Sequence, residues 1–343
     1  MVDLLPTDEQ LSISDTVARF LADGFPVERL VTSEADPAAR EPGWAVIAEI
    51  GCLGIGLGED HGGVGMSLVE EMLVAQEFGR VVGPTELLSA MLAARLAAAC
   101  GVEAIAQGIA AGMLRVATLS PITPVEMGTG LSGDFYLLDH QQADVALFVG
   151  EGGAMLFPMA SLTPQPAEGL DAFVPLARIA LRDAEPSCAR LEPIWWRQAL
   201  LLAAAYLSGI TQAACAMASD YAKLRHQFGR PIGSFQAVKH RCVDMAIGAE
   251  AIGSQIAFAA LVIGGDAPDA TFQAMSAKFV AAQNAIRSAQ DNIQLHGAIG
   301  TTAELPAHLY LKRAHLVDRL FGSSRLLGDR LLASDGPYTG FED

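Results

Sequence analysis

The sequence predicts an α+β chain that is mainly α. It has an N-terminal helical domain over residues 1–114, a small middle β domain over 115–190, and a C-terminal antiparallel four-helix bundle over 191–343. Three observations carry this. Apolar residues recur at helical spacing before Arg115. Short strand-like runs, separated by Pro, Gly and acidic residues, follow it. Long apolar segments joined by short loops fill the remainder.

The first helix is read over 8–23, where Leu11, Ile13, Val17, Phe20 and Leu21 can share one broad face, and Thr7 with Glu9 and Gln10 supplies its start. Trp44, Ile47 and Ile50 predict a second helix, ended by Gly51. The glycines between Gly54 and Gly65 mark turns; they resemble a phosphate loop only weakly, lacking a GK[ST] ending and a preceding strand. Residues 67–80 and 85–112 read as helices. Strands are expected at Val116–Leu119, Phe135–Leu138, Val145–Val149, Ala154–Phe157 and Val174–Ile179. Four long helical segments follow at about 194–224, 235–263, 268–295 and 304–333, with a loop at Gly264–Pro268.

Composition narrows the classes. Hydrophobic residues make up 51% of the chain and charged residues 18%, against about 25% charged in an average protein. Intrinsic disorder is excluded by that apolar content. The 39 acidic residues against 22 Lys and Arg argue against nucleic-acid binding through a basic surface. A chain this apolar needs a large core or a large buried interface. Gln198–Ala218 carries no charge over 21 residues, about the length that spans a bilayer, but its Gln, Ser and Thr content and its Ala richness favour a buried bundle helix. No membrane partner is therefore expected. The N-terminus shows neither a basic nor an apolar signal region, so a cytoplasmic protein is expected. The five cysteines are scattered, without metal-ligand spacing, and the seven histidines do not cluster, so no metal site is expected.

Two segments carry the chemistry. Arg225-His226-Gln227-Phe228-Gly229-Arg230-Pro231-Ile232-Gly233-Ser234-Phe235-Gln236 resembles the RxxFGxxIxxxQ segment of the acyl-CoA dehydrogenase family. Gln294-Leu295-His296-Gly297-Ala298-Ile299-Gly300 is similar to that family's QxxGGxG turn, and Glu59–Gly65 to its PExxGGxG loop. The resemblance covers nearly the whole chain. It implies FAD as cofactor, an acyl-CoA substrate, and an electron-transfer flavoprotein or similar acceptor. It implies cofactor contacts at Arg225, Gln227, Phe228, Phe235, Gln236, Gln294, Leu295, Gly297, Ala298, Gly300 and Ser323, those of the first two segments reaching across a subunit interface. An arginine suits a pyrophosphate by its charge and forked donors, and side-chain-free glycines let backbone approach a phosphate.

The chain also departs from the family. The glutamate that removes the substrate's α proton stands in a Tyr-Glu-Gly-Thr segment in many members; here the matching residues are Leu320-Phe321-Gly322-Ser323, with Phe321 at the base position. Other members carry the glutamate 26 residues before the arginine, which is Ala199 here. Neither residue can accept a proton. Glu192, Asp220, Glu304 and Asp318 lie nearby and read as solvated or capping acids. The TEPxxGSD segment that holds the flavin ring is replaced by Thr118-Leu119-Ser120-Pro121-Ile122-Thr123-Pro124. The Trp-Ile-Thr run that covers the flavin is missing, so the β domain reads as shortened.

The resemblance and its losses together imply a non-catalytic subunit. It resembles one chain of a heteromeric (α2β2) actinobacterial acyl-CoA dehydrogenase acting on sterol side chains, in which a vacated pocket could give room to a wide substrate. A second subunit of the same family would supply the glutamate. Two alternatives stand beside it: a homomeric dehydrogenase with an unrecognised base, and a flavin-free scaffold or acyl-CoA binding protein.

Overall fold

The computed structural model describes residues 4–33, 43–334 and 336. Six helices precede the sheet: α1 (Asp8–Gly24), α2 (Glu28–Ser33), α3 (Trp44–Glu49), α4 (Leu68–Arg80), α5 (Glu86–Ala99) and α6 (Glu103–Ala110). Thr7 starts α1 through a capping box with Gln10, which satisfies backbone N–H groups that a helix start leaves unpaired. Of the apolar face expected there, Val17 and Leu21 are buried, whereas Leu11 is exposed. The single helix expected over 85–112 is instead two, because Gly101 adopts φ 75° and a helix cannot continue through a left-handed residue.

The Gly54–Gly65 segment closes on itself. Val64 N–H donates to Gly54 O, Gly63 to Gly58 O and Gly65 to Leu57 O, so these amides are already used and are not presented to a phosphate.

The sheet comprises β1 (Val116–Pro121), β2 (Glu126–Met127), β3 (Leu131–Leu138), β4 (Val145–Gly150), β5 (Gly153–Pro158), β6 (Gln165–Ala167), β7 (Leu176–Ala184) and β8 (Cys188–Arg190), in the order β6-β7-β3-β1-β4-β5-β8, with β2 paired to β3. Only β1 and β4 run parallel among the recorded pairings of this sheet. Both faces are covered, which is why Val145–Val149 reads as an unbroken apolar run. Val145, Leu147 and Val149 join the helical core, while Ala146 and Phe148 join a second cluster with Phe135, Met155 and Phe157. The short strands β2, β6 and β8 carry too few residues to show a period and were not expected.

The C-terminal part contains α7 (Ile194–Leu224), a small hairpin of β9 (His226–Gln227) and β10 (Arg230–Pro231), then α8 (Gln236–Gly264), α9 (Ala270–His296), α10 (Ala307–Arg319) and α11 (Ser324–Ala333). Here too one expected helix, 304–333, is two. The break falls at Phe321, φ 60°, and Gly322, φ 130°.

Helix α7 is the axis of the molecule. Ala199 through Leu207 are completely buried, which accounts for the uncharged stretch as core and not as a membrane span. It crosses α4 at two glycines: a Cβ on Gly79 would sit 2.0 Å from Tyr206 O, and one on Gly209 2.0 Å from Gln76 O. Any side chain there would push the helices apart. Helix α8 differs. It is as apolar as α7, yet only 33% of its most apolar 18-residue stretch is buried, and Val243 and Ile247 are more than half exposed.

Candidate functional site

Two places gather the residues singled out by the sequence. The first is the turn between α10 and α11. Lys278, in the middle of α9, is fully buried, and its Nζ reaches four carbonyl oxygens: Val317 at 3.0 Å, Asp318 at 3.2 Å, Leu320 at 3.1 Å and Gly322 at 3.4 Å. It thereby satisfies the carbonyls that the end of α10 leaves free. Burial pushes its ammonium down to about 8, a shift opposed by the charge of Asp318. Trp196 Nε1 donates to Phe321 O at 2.6 Å, and Asp318 Oδ1 accepts from Ser324 N–H at 2.8 Å. Ser323 caps α11 through its side chain. Asp318 is thus a capping acid, as expected. Glu192 accepts from Trp195 Nε1, and Asp220 pairs with Lys223, both on the surface.

This turn also relates the two positions at which the sequence resemblance expects a base. Ala199 follows Trp196 by three residues, less than one helical turn, and Trp196 touches the backbone of Phe321. Ala199 and Phe321 are both buried and both apolar. No proton acceptor stands at either. Beside the turn lies a cleft of about 460 Å³ between the sheet and α10, bordered by Ser120 at the end of β1 and by Leu320. The Ser120 hydroxyl donates to Arg319 O at 3.4 Å across its edge.

The second place is the far end of the bundle. Arg225 caps α7, its N–H donating to Tyr221 O at 2.8 Å and its carbonyl accepting from Ile232 N–H at 2.8 Å. The β9–β10 hairpin turns through Phe228, φ 53°, and Gly229, φ 78°, the two positive φ values of a two-residue type I′ turn. Phe228 is 90% exposed. Its ring meets Phe235 edge to face at 6.0 Å, and the Arg230 guanidinium lies 4.2 Å from the Phe235 ring centre. Arg225, Gln227 and Gln236 all face solvent.

The Gln294–Gly300 segment arrives at the same end. His296 stacks on Tyr221 with ring centres 4.1 Å apart, joining the last turns of α7 and α9. It is a buried structural histidine, its Nδ1 2.8 Å from Asn292 O. Leu295 packs with Ala214, Ala218 and Met245. Gln294, Gly297 and Ala298 are exposed. A Cβ on Gly300 would lie 2.5 Å from Ile293 O, so the turn admits no side chain there. Ser323 belongs elsewhere. The turn it follows is tied to Lys278, 16 residues before Gln294 on α9, or about 24 Å at 1.5 Å per residue.

A buried polar network holds α10 against the sheet and the N-terminal helices. Arg313 Nε donates to Asp171 Oδ2 at 2.6 Å, and its Nη1 reaches Tyr206 Oη at 2.8 Å and the carbonyl of Gly83. Nearby, Asp139 accepts from the Thr85 hydroxyl at 3.0 Å. Burial and the neighbouring Glu86 push its carboxyl up to about 7.

The order of elements and the two segments at one bundle end agree with what comparison shows. The acyl-CoA dehydrogenase N-terminal domain matches residues 7–115 and the C-terminal domain residues 198–333. Acyl-CoA dehydrogenase IpdE2 of Mycobacterium tuberculosis is 32% identical over 336 residues, covering 96% of this chain and 98% of that one. The chain belongs to the acyl-CoA dehydrogenase family. Its fold matches the ChsE4-ChsE5 complex from Mycobacterium tuberculosis with TM-score 0.83 at 22% identity, over 98% of this chain and 100% of that one. It matches the Tcur3481-Tcur3483 steroid ACAD G363A variant with TM-score 0.82 at 26% identity, over 95% and 97%.

Acyl-CoA dehydrogenases are FAD-dependent oxidoreductases. The residues present fit that cofactor unevenly. An exposed arginine, an exposed aromatic on a short hairpin and a turn without room for a side chain fit its phosphate-bearing end. At the other end, the buried and apolar Phe321 and Ala199 stand where the sequence resemblance expects a catalytic glutamate.

Lys278 and Trp196 had no place in the sequence reading. Lys278 left one signal, a lone cation inside the Ala274–Ala282 stretch, where a charge needs a buried partner. Trp196 left none, since its partner is a backbone carbonyl 125 residues away.

Proposed function

We propose that this chain is the non-catalytic subunit of a heteromeric FAD-dependent acyl-CoA dehydrogenase. In this reading it holds the nucleotide end of a FAD whose ring lies mostly in a partner subunit of the same family. The observation that carries the reading is Phe321: an apolar, buried residue at the base position, in a turn fixed by Lys278 and Trp196. FAD, when bound, supplies the acceptor for the hydride that leaves the β carbon.

This chain's residues act in binding. Arg225 would offer a forked set of donors to the pyrophosphate, and Phe228 a flat apolar face. Gln236 and Gln294 would hydrogen-bond, while the Gly297–Gly300 backbone would approach a phosphate closely. The partner's glutamate would take the α proton. Two features support an assembly. Helix α8 exposes Val243 and Ile247 on an apolar face, which a partner would cover. Two solved structures of the same fold, the ChsE4-ChsE5 complex and the Tcur3481-Tcur3483 steroid ACAD, are named for two components each. A steroid-side-chain thioester is the substrate class this favours.

Native mass spectrometry of the complex purified from its source tests the reading. The expected species pairs this chain with a second, glutamate-bearing family member and carries fewer FAD molecules than chains. A homo-oligomer with one FAD per chain would contradict it.

A further inference from the structure

We propose that the cleft between the sheet and α10 binds a compact apolar ligand carrying one carboxylate, with the Arg319 guanidinium as its anchor. The assignment concerns ligand binding by this chain and stands whether or not the heteromeric reading holds.

Three observations place the site. Its volume, about 460 Å³, lies within the range of small-molecule pockets, about 300–1,000 Å³. Its walls are aliphatic, from Leu138 and Leu176 on the sheet, Leu170 and Val174 on the loop before β7, and Leu316 and Leu320 on α10. Its polar groups can donate, and no carboxylate lines it: Arg319, His315 one turn earlier on the same helix face, and Tyr136, whose oxygen accepts from Arg178 Nη2 at 3.2 Å and leaves its own O–H to give.

Several arginines of the C-terminal helices are paired with acids. Arg197 pairs with Asp266, Arg241 with Asp291, Arg313 with Asp171, and Arg330 with Glu151. The Arg319 guanidinium has no acidic partner among the described residues, in a chain of net charge −17. Its backbone is nevertheless held, with its carbonyl bonded by Ser120 and the next residue's carbonyl by Lys278. The end of α10 favours a cation at this position but does not occupy the guanidinium donors.

An exposed, unpaired guanidinium at the mouth of an apolar cleft selects for a planar acceptor on an apolar body, and one arginine balances one negative charge. A dianionic phosphate would leave a second charge uncompensated against leucine walls.

Isothermal titration calorimetry on the full chain tests this with a rigid pair of probes, adamantane-1-carboxylate and the neutral adamantane-1-carboxamide. The carboxylate should bind at least tenfold more tightly than the amide. Arg319→Gln should remove that preference and leave the amide within twofold, and Arg319→Lys should restore part of it. Leu316→Trp, which fills the cleft, should weaken both probes at least tenfold. Equal carboxylate binding in wild type and Arg319→Gln, binding unaffected by Leu316→Trp, or no saturable binding at millimolar probe would each overturn the assignment. No flavin, partner or turnover enters the measurement, so its failure is separate from failure of the heteromeric reading.

Discussion

Trp196 Nε1 donates to the carbonyl oxygen of Phe321 at 2.6 Å, tying the start of the central helix α7 to the turn between α10 and α11. Phe321 sits there at φ 60°, a conformation that costs a bulky residue of order 1–3 kcal/mol and persists only when its surroundings fix it. Lys278 supplies the rest of the fixing, from below, through the carbonyls on either side. A buried phenylalanine, which cannot accept a proton, is thus held in this turn from two helices.

Replacing Lys278 by Met should therefore destabilise the chain by about 2–4 kcal/mol, because several buried carbonyls lose their donor and each such loss costs about 1–3 kcal/mol. The ammonium titrates at about 8 when folded and near 10.5 when unfolded, so between these values the unfolded chain binds the proton more tightly. Wild-type stability should gain from this group as pH rises from about 8 to 10.5, and the gain should vanish in Lys278→Met. Urea unfolding across that range measures both effects.

Asp139 gives the opposite slope. Its carboxyl titrates at about 7 in the fold against 3.8 when free, so the folded chain holds the proton more tightly between these values. Its contribution is complete below about 4 and is lost as pH rises through 7. Asp139→Asn keeps a side chain that tolerates the φ of 58° and keeps an acceptor for Thr85, so it should fold. The variant's stability should lack this pH dependence, as followed by thermal unfolding between pH 4 and 8.

Arg225→Ala separates binding from folding. The side chain is exposed and only its backbone is bonded within the chain, so stability should change by less than about 0.5 kcal/mol. A hydrogen bond to a charged group is worth about 1.5–3 kcal/mol, so FAD affinity of the assembled enzyme should fall about 10- to 100-fold. Flavin retention through gel filtration checks it.

Phe228→Gly should show a trade between chain and assembly. Phe228 is 90% exposed at a surface hairpin, where its ring meets Phe235, and its φ of 53° suits glycine. The isolated chain should keep its stability or gain up to about 1 kcal/mol, while flavin binding in the complex weakens. Denaturant unfolding and flavin titration, run on the same preparation, give the two numbers.

Much of this architecture was legible in the sequence. The uncharged Ala199–Leu207 stretch needed a core, and α7 is that core. The apolar run at Val145 needed two covered faces, and the sheet has them. The errors fell where backbone conformation decides: Gly101 and Phe321 each stop a helix through a positive φ that periodicity does not register. The site was half legible. Short motifs pointed to the Arg225 hairpin and the Gln294 turn, and the fold sets both at one bundle end. Lys278, Trp196 and Arg319 act on or through backbone carbonyls, or line a cleft made by distant segments, and such contacts have no spacing to read.

In the proposed heteromer this chain completes a flavin site it cannot run alone. The most direct test is the visible spectrum and the acyl-CoA dehydrogenase turnover of the purified chain, alone and co-expressed with a glutamate-bearing family partner. The expected result is a colourless, inactive protein alone and a yellow, active complex with the partner. A yellow, active homo-oligomer of this chain alone would contradict it.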